Sequence, residues 1–457
     1  MVRLLKSART LCVTIMAVGM LMSGCGSDSS SQQTGINPAA LLDSIRNSAQ
    51  PAVTSALAGW DWDSFISNFG ALLISFRYTL DMQKVTYQSI GADGNLHSMT
   101  GLLILPRAIL GGKPSVPILM YQHGTEVFRP LSPSQYLTHQ GNPKNYPEVM
   151  VAAAIAATGY AVALVDYEGM GDNTDPQPHV VGATLAGQVI DLLRASRDII
   201  GNGSTPCTWN NQLFLMGYSE GGYVTMTATR ELQLNHAAEF TVTASAPLSG
   251  PHDLSGVQRG VILSANTFKA PYFVPMILAS YDYAYGAQTN VFSPGFALKT
   301  LPDAPVAYDT ILPPLFAGNT PSETISTAMG MSFSPVILIV PNIVLTPAFM
   351  TQLALDGSPL VGFLQLNDSY RLPGNLAASW KPTVPIRMIH DLNDELVPYG
   401  NSQAAFDAFT VAGSTTVQLA ANPVVINISS DPVKTVHLGA AFPELIDGWK
   451  WIDGFKH

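Results

Sequence analysis

Strand-length stretches that are apolar without alternation recur along this chain, each followed by a stretch of helical periodicity. "VPILMYQHG" leads to "PEVMVAAAIAATG", which reads as a helix ending at Gly159. "YAVALVDYEGMGD" leads to "GATLAGQVIDLLRASRDII", and "NQLFLMG" to "GYVTMTATRELQ", with "EFTVTASAPLSG" as a further strand. A strand apolar on both faces must be covered on both faces, so the rhythm predicts a mostly parallel central sheet with helices above and below it. The rhythm lapses between Asp253 and Pro382, where Pro, Met and aromatic residues collect. It returns with "VPIRMIH", the helical "NSQAAFDAFTVAG", the strand-like "NPVVINI" and a last helix ending in "DGWKWIDGF". A long insertion inside an α/β sheet is most simply a cap or lid over the carboxyl ends of the strands. The expected organisation is an α/β core over 37–252 and 383–457, interrupted by a cap at 253–382.

At the start of that core, Asn37 to Met82 reads as mixed, with short helices carrying Trp60, Trp62 and Phe65, and "VTYQSIGADGNLHSMTGLLILP" as a hairpin turning at "GADGN". The amino terminus has the layout of a secretion signal: Arg3, Lys6 and Arg9, then the apolar "LCVTIMAVGMLM", then small residues. "LMSGC" resembles the bacterial lipobox, with Met22 where Leu is usual, and its cysteine is the one that would carry lipid. The expectation is a lipoprotein signal peptide over 1–24, a lipid anchor on Cys25 and a flexible polar tether over 25–36, "GCGSDSSSQQTG". Such a protein is exported and held at the bacterial cell envelope, in the periplasm or at the cell surface.

With Cys12 lost alongside the signal and Cys25 lipidated, Cys207 is the remaining thiol, so no internal disulfide is expected. "GSTPCTWNN" reads as a surface loop ahead of a strand, and no catalytic role for Cys207 is expected. The chain is 12% charged with a net charge of −10 and offers no basic stripe to neutralise phosphates, so nucleic acid is not an expected partner. The oligomeric state is not legible.

"LFLMGYSEGGYV" places Ser219 between a buried strand and the start of a helix. A G-x-S-x-G match alone is weak in a chain with 38 glycines. Its setting, strand then turn then helix, is that of a nucleophile elbow, where glycines relieve crowding and the helix start aims amides at the serine. Such a serine needs a base and an acid downstream. "VHLGAA" supplies His437 on a loop before the final helix, and "IRMIHDLNDELVPYG" ends a strand at His390 and carries Asp391, Asp394 and Glu395 on the loop beyond it. Both loops fall at carboxyl ends of strands, the rim where open α/β sheets do their chemistry.

"YQHGT", "VDYEGMGD", "GYSEGG", "HDLNDELVP" and "VHLGAA" together resemble the α/β-hydrolase superfamily. Within it, the chain is similar to bacterial exported esterases related to secretory lipases, from about Val85 to Trp451. The resemblance implies Asp394 as the acid, four residues after the strand-ending His390. Asp391 stands where that family has Gly and is the alternative, with Asp253 a third candidate.

The roles then follow: Ser219 as nucleophile, His437 as general base and acid, Asp394 as its orienting partner, with backbone amides of Glu220 and Thr125 as the oxyanion hole and Gly124 as the alternative to Thr125. The Glu220 side chain is expected to be a rim or a hydrogen-bonding group rather than a catalytic one, and His123 and His390 to stabilise loops. No metal-ligand spacing, dinucleotide fingerprint or P-loop is found, so neither a cofactor nor a metal is expected. The expected activity is hydrolysis of carboxylic esters with an apolar or aryl part. The alternatives are a peptidase or acyltransferase on the same triad, or a non-catalytic surface-binding lipoprotein.

Overall fold

The structure, a computed structural model, describes residues 32–48, 62–71, 76–139, 142–264, 272–304, 306–329, 341–421 and 435–457. The signal peptide, Cys25, Trp60 and "NPVVINI" lie outside the described residues.

A nine-stranded sheet runs through the molecule in the order β1-β2-β3-β5-β4-β6-β7-β10-β11. Its strands are β1 (Gln32–Ile36), β2 (Tyr78–Ile90), β3 (Leu96–Ala108), β4 (Ser115–Gln122), β5 (Ala161–Val165), β6 (Thr208–Tyr218), β7 (Val242–Leu248), β10 (Ile386–His390) and β11 (Val417–Ala421). Pairing is antiparallel from β1 to β5 through the β2–β3 hairpin, then parallel from β5 across β4, β6, β7 and β10 to β11. The mostly parallel α/β architecture expected from the rhythm is the one observed.

The continuous apolar runs are explained by what lies on each face. Along β4, Ile118 and Met120 join one core cluster, while Leu119 and Tyr121 join the other. β5 and β6 divide in the same way, with Leu215 on the first side and Phe214 and Met216 on the second. The first cluster takes in helices α4 (Gly182–Gly201) and α5 (Glu220–Asn235). The second packs under α1 (Pro38–Asn47), α2 (Trp62–Ala71), α3 (Pro147–Ala156) and the last helix, α8 (Val436–Asp453). Because period-2 alternation sends successive residues to opposite faces, both sets must be apolar.

Between β7 and β10 the described chain contributes no strand to this sheet. It forms α6 (Phe273–Tyr285), several shorter helices and a small hairpin of β8 (Arg371–Leu372) and β9 (Asn375–Ser379). Helix α7 (Gly400–Val411) follows β10. Among the described residues no helix is long and apolar enough to cross a membrane.

Two local expectations, the tether end and an exposed Cys207, are corrected. Residues 32–36, read as the end of a flexible tether, form β1 on the sheet edge, where Gly35 N donates to Asp81 Oδ1 at 3.1 Å. Edge pairing is made by the backbone, so a polar sequence satisfies it. β2 begins at Tyr78, inside the mixed stretch that ends at Met82. The strand beside β10 is Val417–Ala421, and "NPVVINI" lies beyond it, outside the described residues. Cys207, read as exposed, is fully buried in the first core cluster just before β6, and burial pushes its thiol up to about 12.

Candidate active site

β6 ends at Tyr218 and α5 begins at Glu220, so the direction of the chain reverses on Ser219 alone. The serine holds φ 60° and ψ −123°, a strained conformation for a residue with a side chain. Ser219 N donates to Leu248 O at 3.0 Å, which pins the turn against the end of β7. Gly217 is required beneath it: a Cβ there would stand 2.4 Å from the carbonyl oxygen of Gln122 on β4.

Two further loops reach this turn. The Ser219 hydroxyl donates to His437 Nε2 at 2.8 Å, and His437 Nδ1 donates to Asp394 Oδ2 at 2.5 Å. The other carboxylate oxygen of Asp394 accepts from the amides of Leu396 and Val397 at 3.0 and 2.8 Å. Burial opposes ionisation of Asp394, but His437 and His390 outweigh it and hold the carboxyl well below its usual range. His390 lies 3.4 Å from Asp394 while bonding Ser402 Oγ and Val397 O, both at 2.7 Å, so it braces the acid loop.

His437 is not on a loop, as expected, but in the first turn of α8. Thr435 caps that helix by accepting from Leu438 N at 3.1 Å, and Glu395 reaches over from the acid loop to accept from Val436 N at 3.0 Å. Otherwise unpaired amides at a helix start thus tie His437 to the loop that carries Asp394. Of the other acid candidates, Asp391 closes its own turn by accepting from Asn393 N at 2.8 Å. Asp253 accepts from Val257 N and the Tyr370 hydroxyl, both at 2.9 Å, at the base of the 253–382 segment.

The turn after β4 lies against the elbow, where a Cβ on Gly124 would be 3.7 Å from that of Ser219. Gly124 N is already engaged: Glu148 accepts it with both carboxylate oxygens, at 3.0 and 2.9 Å. Among the described residues, the amides of Thr125 and Glu220 have no hydrogen-bond acceptor in the chain. Of the two candidates on this turn, Thr125 is therefore the one with an amide to offer. His123, expected to stabilise a loop, donates from Nδ1 to Gly124 O at 2.7 Å.

The Glu220 side chain is buried rather than on the rim. Its carboxylate lies 2.8 Å from His179 Nδ1, an ion-pair contact off the axis of a straight hydrogen bond. Burial again opposes ionisation, and the neighbouring His179, with His123 and the Thr125 hydroxyl, holds Glu220 below its usual range. The His179 ring stacks on Phe273 of α6, centroids 5.9 Å apart and planes within 8°. Ser219, Thr125, Glu220 and His179 face a cavity of about 560 Å³, counting its open mouth. The rest of the lining is almost wholly apolar and includes Leu254, Ile262, Phe273, Val274, Ile277 and Leu396.

One group elsewhere has ligand atoms close enough for a metal: Asp93, His97 and Glu168, within 4.8 Å of one another. His97 already sets one ring nitrogen against Asp93 and the other against Asp175, each at 2.9 Å, and Glu168 accepts from Ala92 N and the Tyr283 hydroxyl. The Asp93 hydrogen bond raises the His97 pKa, and both ring nitrogens are already occupied by carboxylates of the chain.

Solved structures share this fold. The ligand-bound rice cell wall degrading esterase LipA of Xanthomonas oryzae is 24% identical, covering 84% of this chain and 92% of that one, at a TM-score of 0.66. The chain has the α/β-hydrolase fold. A Legionella pneumophila protein matches at 22% identity over 92% of this chain and 95% of its own, with a TM-score of 0.69. Candida antarctica lipase A in its closed state matches at 14% identity over 78% and 74%, with a TM-score of 0.55. No family model matches the chain, and no curated protein matches it. At these identities the likeness is one of fold, and within the hydrolase fold the chemistry is argued from the site.

Sequence reasoning missed Glu148, Glu395 and His179. Glu395 stands in the acid-loop motif, but its role does not show there; each of the three works by reaching a backbone amide or a carboxylate distant in sequence, and no local pattern signals that.

Proposed function

We propose that the protein is a serine hydrolase of carboxylic esters whose acyl or alcohol part is apolar, aryl esters included. The observation that carries this reading is the unbroken line from Ser219 Oγ through His437 to Asp394, at 2.8 and 2.5 Å. Two unpaired amides beside the serine and an apolar cavity opening onto it supply the remaining requirements.

The chemistry runs in two halves. Ser219 Oγ attacks the ester carbonyl carbon while its proton passes to His437 Nε2. The carbonyl oxygen becomes an oxyanion and is held by the amides of Thr125 and Glu220. Collapse of this intermediate breaks the bond to the alcohol oxygen, which leaves with the proton from Nε2. Water then attacks the acyl-enzyme, giving its proton to His437, and the second intermediate releases the carboxylic acid as Ser219 recovers its proton. Asp394 keeps the Nδ1 proton in place throughout and stabilises the imidazolium between transfers.

Segment 253–382 is the lid over this site in the same reading. The protein is exported and anchored in the cell envelope through lipid on Cys25.

A fluorophosphonate probe, with a panel of chromogenic esters and amides, tests the activity. Labelling at Ser219 with ester turnover is expected. Folded protein that takes up no probe is a binder rather than an enzyme, and turnover confined to amides makes it a peptidase. For the anchor, Cys25→Ser should release the protein from the membrane fraction, and unchanged fractionation would refute lipidation.

A further inference from the structure

The reaction as derived asks one amide, that of Thr125, to point at a charge that does not exist until the transition state. The Thr125 hydroxyl is held by Glu220, but the amide lies in the peptide before that side chain. Direction comes from the residue before it. A trans peptide is planar, so the carbonyl of Gly124 and the N–H of Thr125 belong to one rigid unit and point opposite ways. The Gly124 carbonyl is held by His123 Nδ1 at 2.7 Å. The other side of Gly124, its own N–H, is gripped by both oxygens of Glu148.

Glu148 is an unusual residue for that place. It sits in the first turn of α3, just after Pro147, where a carboxylate would ordinarily cap its own helix. It is buried instead, and burial pushes its pKa up to about 8, although the Gly124 amide and the Tyr121 hydroxyl pull it back. Tyr121, on β4, donates to Glu148 Oε1 at 3.3 Å. A carboxyl costs free energy to bury, and at this position the backbone group it holds is Gly124 N–H. That amide would otherwise compete with Thr125 for the oxyanion, from a less favourable position on the turn.

We infer that Glu148 is a positioning residue for catalysis: by clamping Gly124 N–H it fixes the peptide before Gly124, and with the His123 contact on the Gly124 carbonyl it sets the Gly124 torsions that aim Thr125 N–H at the developing oxyanion. This rests on the serine-hydrolase reading above. Glu148 touches neither substrate nor the reacting atoms, so its effect should fall on kcat. Removing one oxyanion donor costs roughly 10²–10³-fold in kcat, and misaiming one should cost somewhat less.

The test uses the full chain and four variants, assayed with a short-chain chromogenic ester and a fluorophosphonate. Ser219→Ala comes first: if it retains turnover, the hydrolase reading falls, independently of Glu148. Glu148→Gln keeps an acceptor at the same reach, Glu148→Asp withdraws it by one methylene, and Glu148→Leu removes it. The expected order of kcat is Gln above Asp above Leu, with Asp down about 10-fold and Leu up to ~10²-fold. KM should stay within about threefold, and the rate of phosphonylation should fall in step with kcat, because the tetrahedral adduct uses the same amides. Should Glu148→Leu not fold, the Gln and Asp pair still decides. Asp turning over as fast as Gln, or losses in KM alone, would overturn the inference.

Discussion

A Cβ placed on Gly221 would stand 1.9 Å from the carbonyl oxygen of Gln122. No rotamer relieves that contact, because both atoms are fixed by backbone: one by the first turn of α5, the other by the end of β4. Gly221→Ala should therefore cost at least ~1–3 kcal/mol through overpacking, and activity should fall with it as the elbow shifts. Gly187, inside α4, offers the control, since a Cβ there meets nothing within 4 Å. Gly187→Ala should raise stability by about 0.5–1 kcal/mol. Chemical denaturation of both variants checks the contrast.

Single substitutions along the proton-relaying line should show the non-additivity of a unit. Ser219→Ala and His437→Ala should each lower kcat by ~10⁴-fold or more, and the double variant by little beyond either alone. Asp394→Asn should lose on the order of 10³–10⁴-fold by presenting the wrong tautomer partner. Asp391→Asn should lose far less, because Asp391 closes its own turn. Steady-state kinetics on the chromogenic ester measures all five.

Stability should decline on the alkaline side through Glu148. Its carboxyl is raised to about 8 from an ordinary 4.5, so the folded state holds a proton that the unfolded chain has released. That contribution is fully present below 4.5 and is lost as pH rises through 8. Asp368, raised to about 6 by burial, adds a loss of the same sign over a lower window. Asp394 and Glu220 are depressed and act oppositely, their contribution vanishing only in acid. Melting curves from pH 5 to 9 should therefore slope downwards in the wild type and more gently in Glu148→Gln. The difference should be on the order of 1 kcal/mol for each pKa unit of the raised shift.

Chain-length preference should respond to the lid side of the cavity. Ile277 and Phe273, both from α6, face Ser219 across it. Ile277→Trp should cut turnover of long acyl esters by roughly 10-fold or more relative to short ones, since a methylene in such a pocket is worth ~1–3 kcal/mol. Phe273→Ala should move the preference towards longer chains and also loosen His179, which stacks on that ring. A chromogenic ester series resolves the two effects.

Cys207 should be silent in the native protein. It is fully buried and its thiol is pushed up to about 12. Iodoacetamide at neutral pH should leave activity intact and label this residue only after unfolding.

Much of this was legible because chemistry in an α/β sheet collects at strand ends, and strand ends are where sequence signals are strongest. Ser219, His390 and the Asp394 loop each follow an apolar run that a reader can bound to within a residue or two. His437 is expected on a loop, and its helical setting is not legible because Thr435 and Glu395 make the cap, one of them from a distant loop. β1 was invisible for a different reason: edge pairing is written in backbone geometry, and "QQTGI" carries no periodic apolar residues. Cys207 looked exposed among turn-forming neighbours, yet the first core cluster closes over it. Glu148 follows the same lesson, since its value lies in one amide that sits 24 residues earlier in the chain.

The pairing of Gln32 with Gln83 shortens the leash on this protein. Only six residues separate Cys25 from Gln32, and even drawn out straight the seven steps between their Cα atoms span ~25 Å. A lipid on that cysteine would keep the β1 edge within about 25 Å of the bilayer.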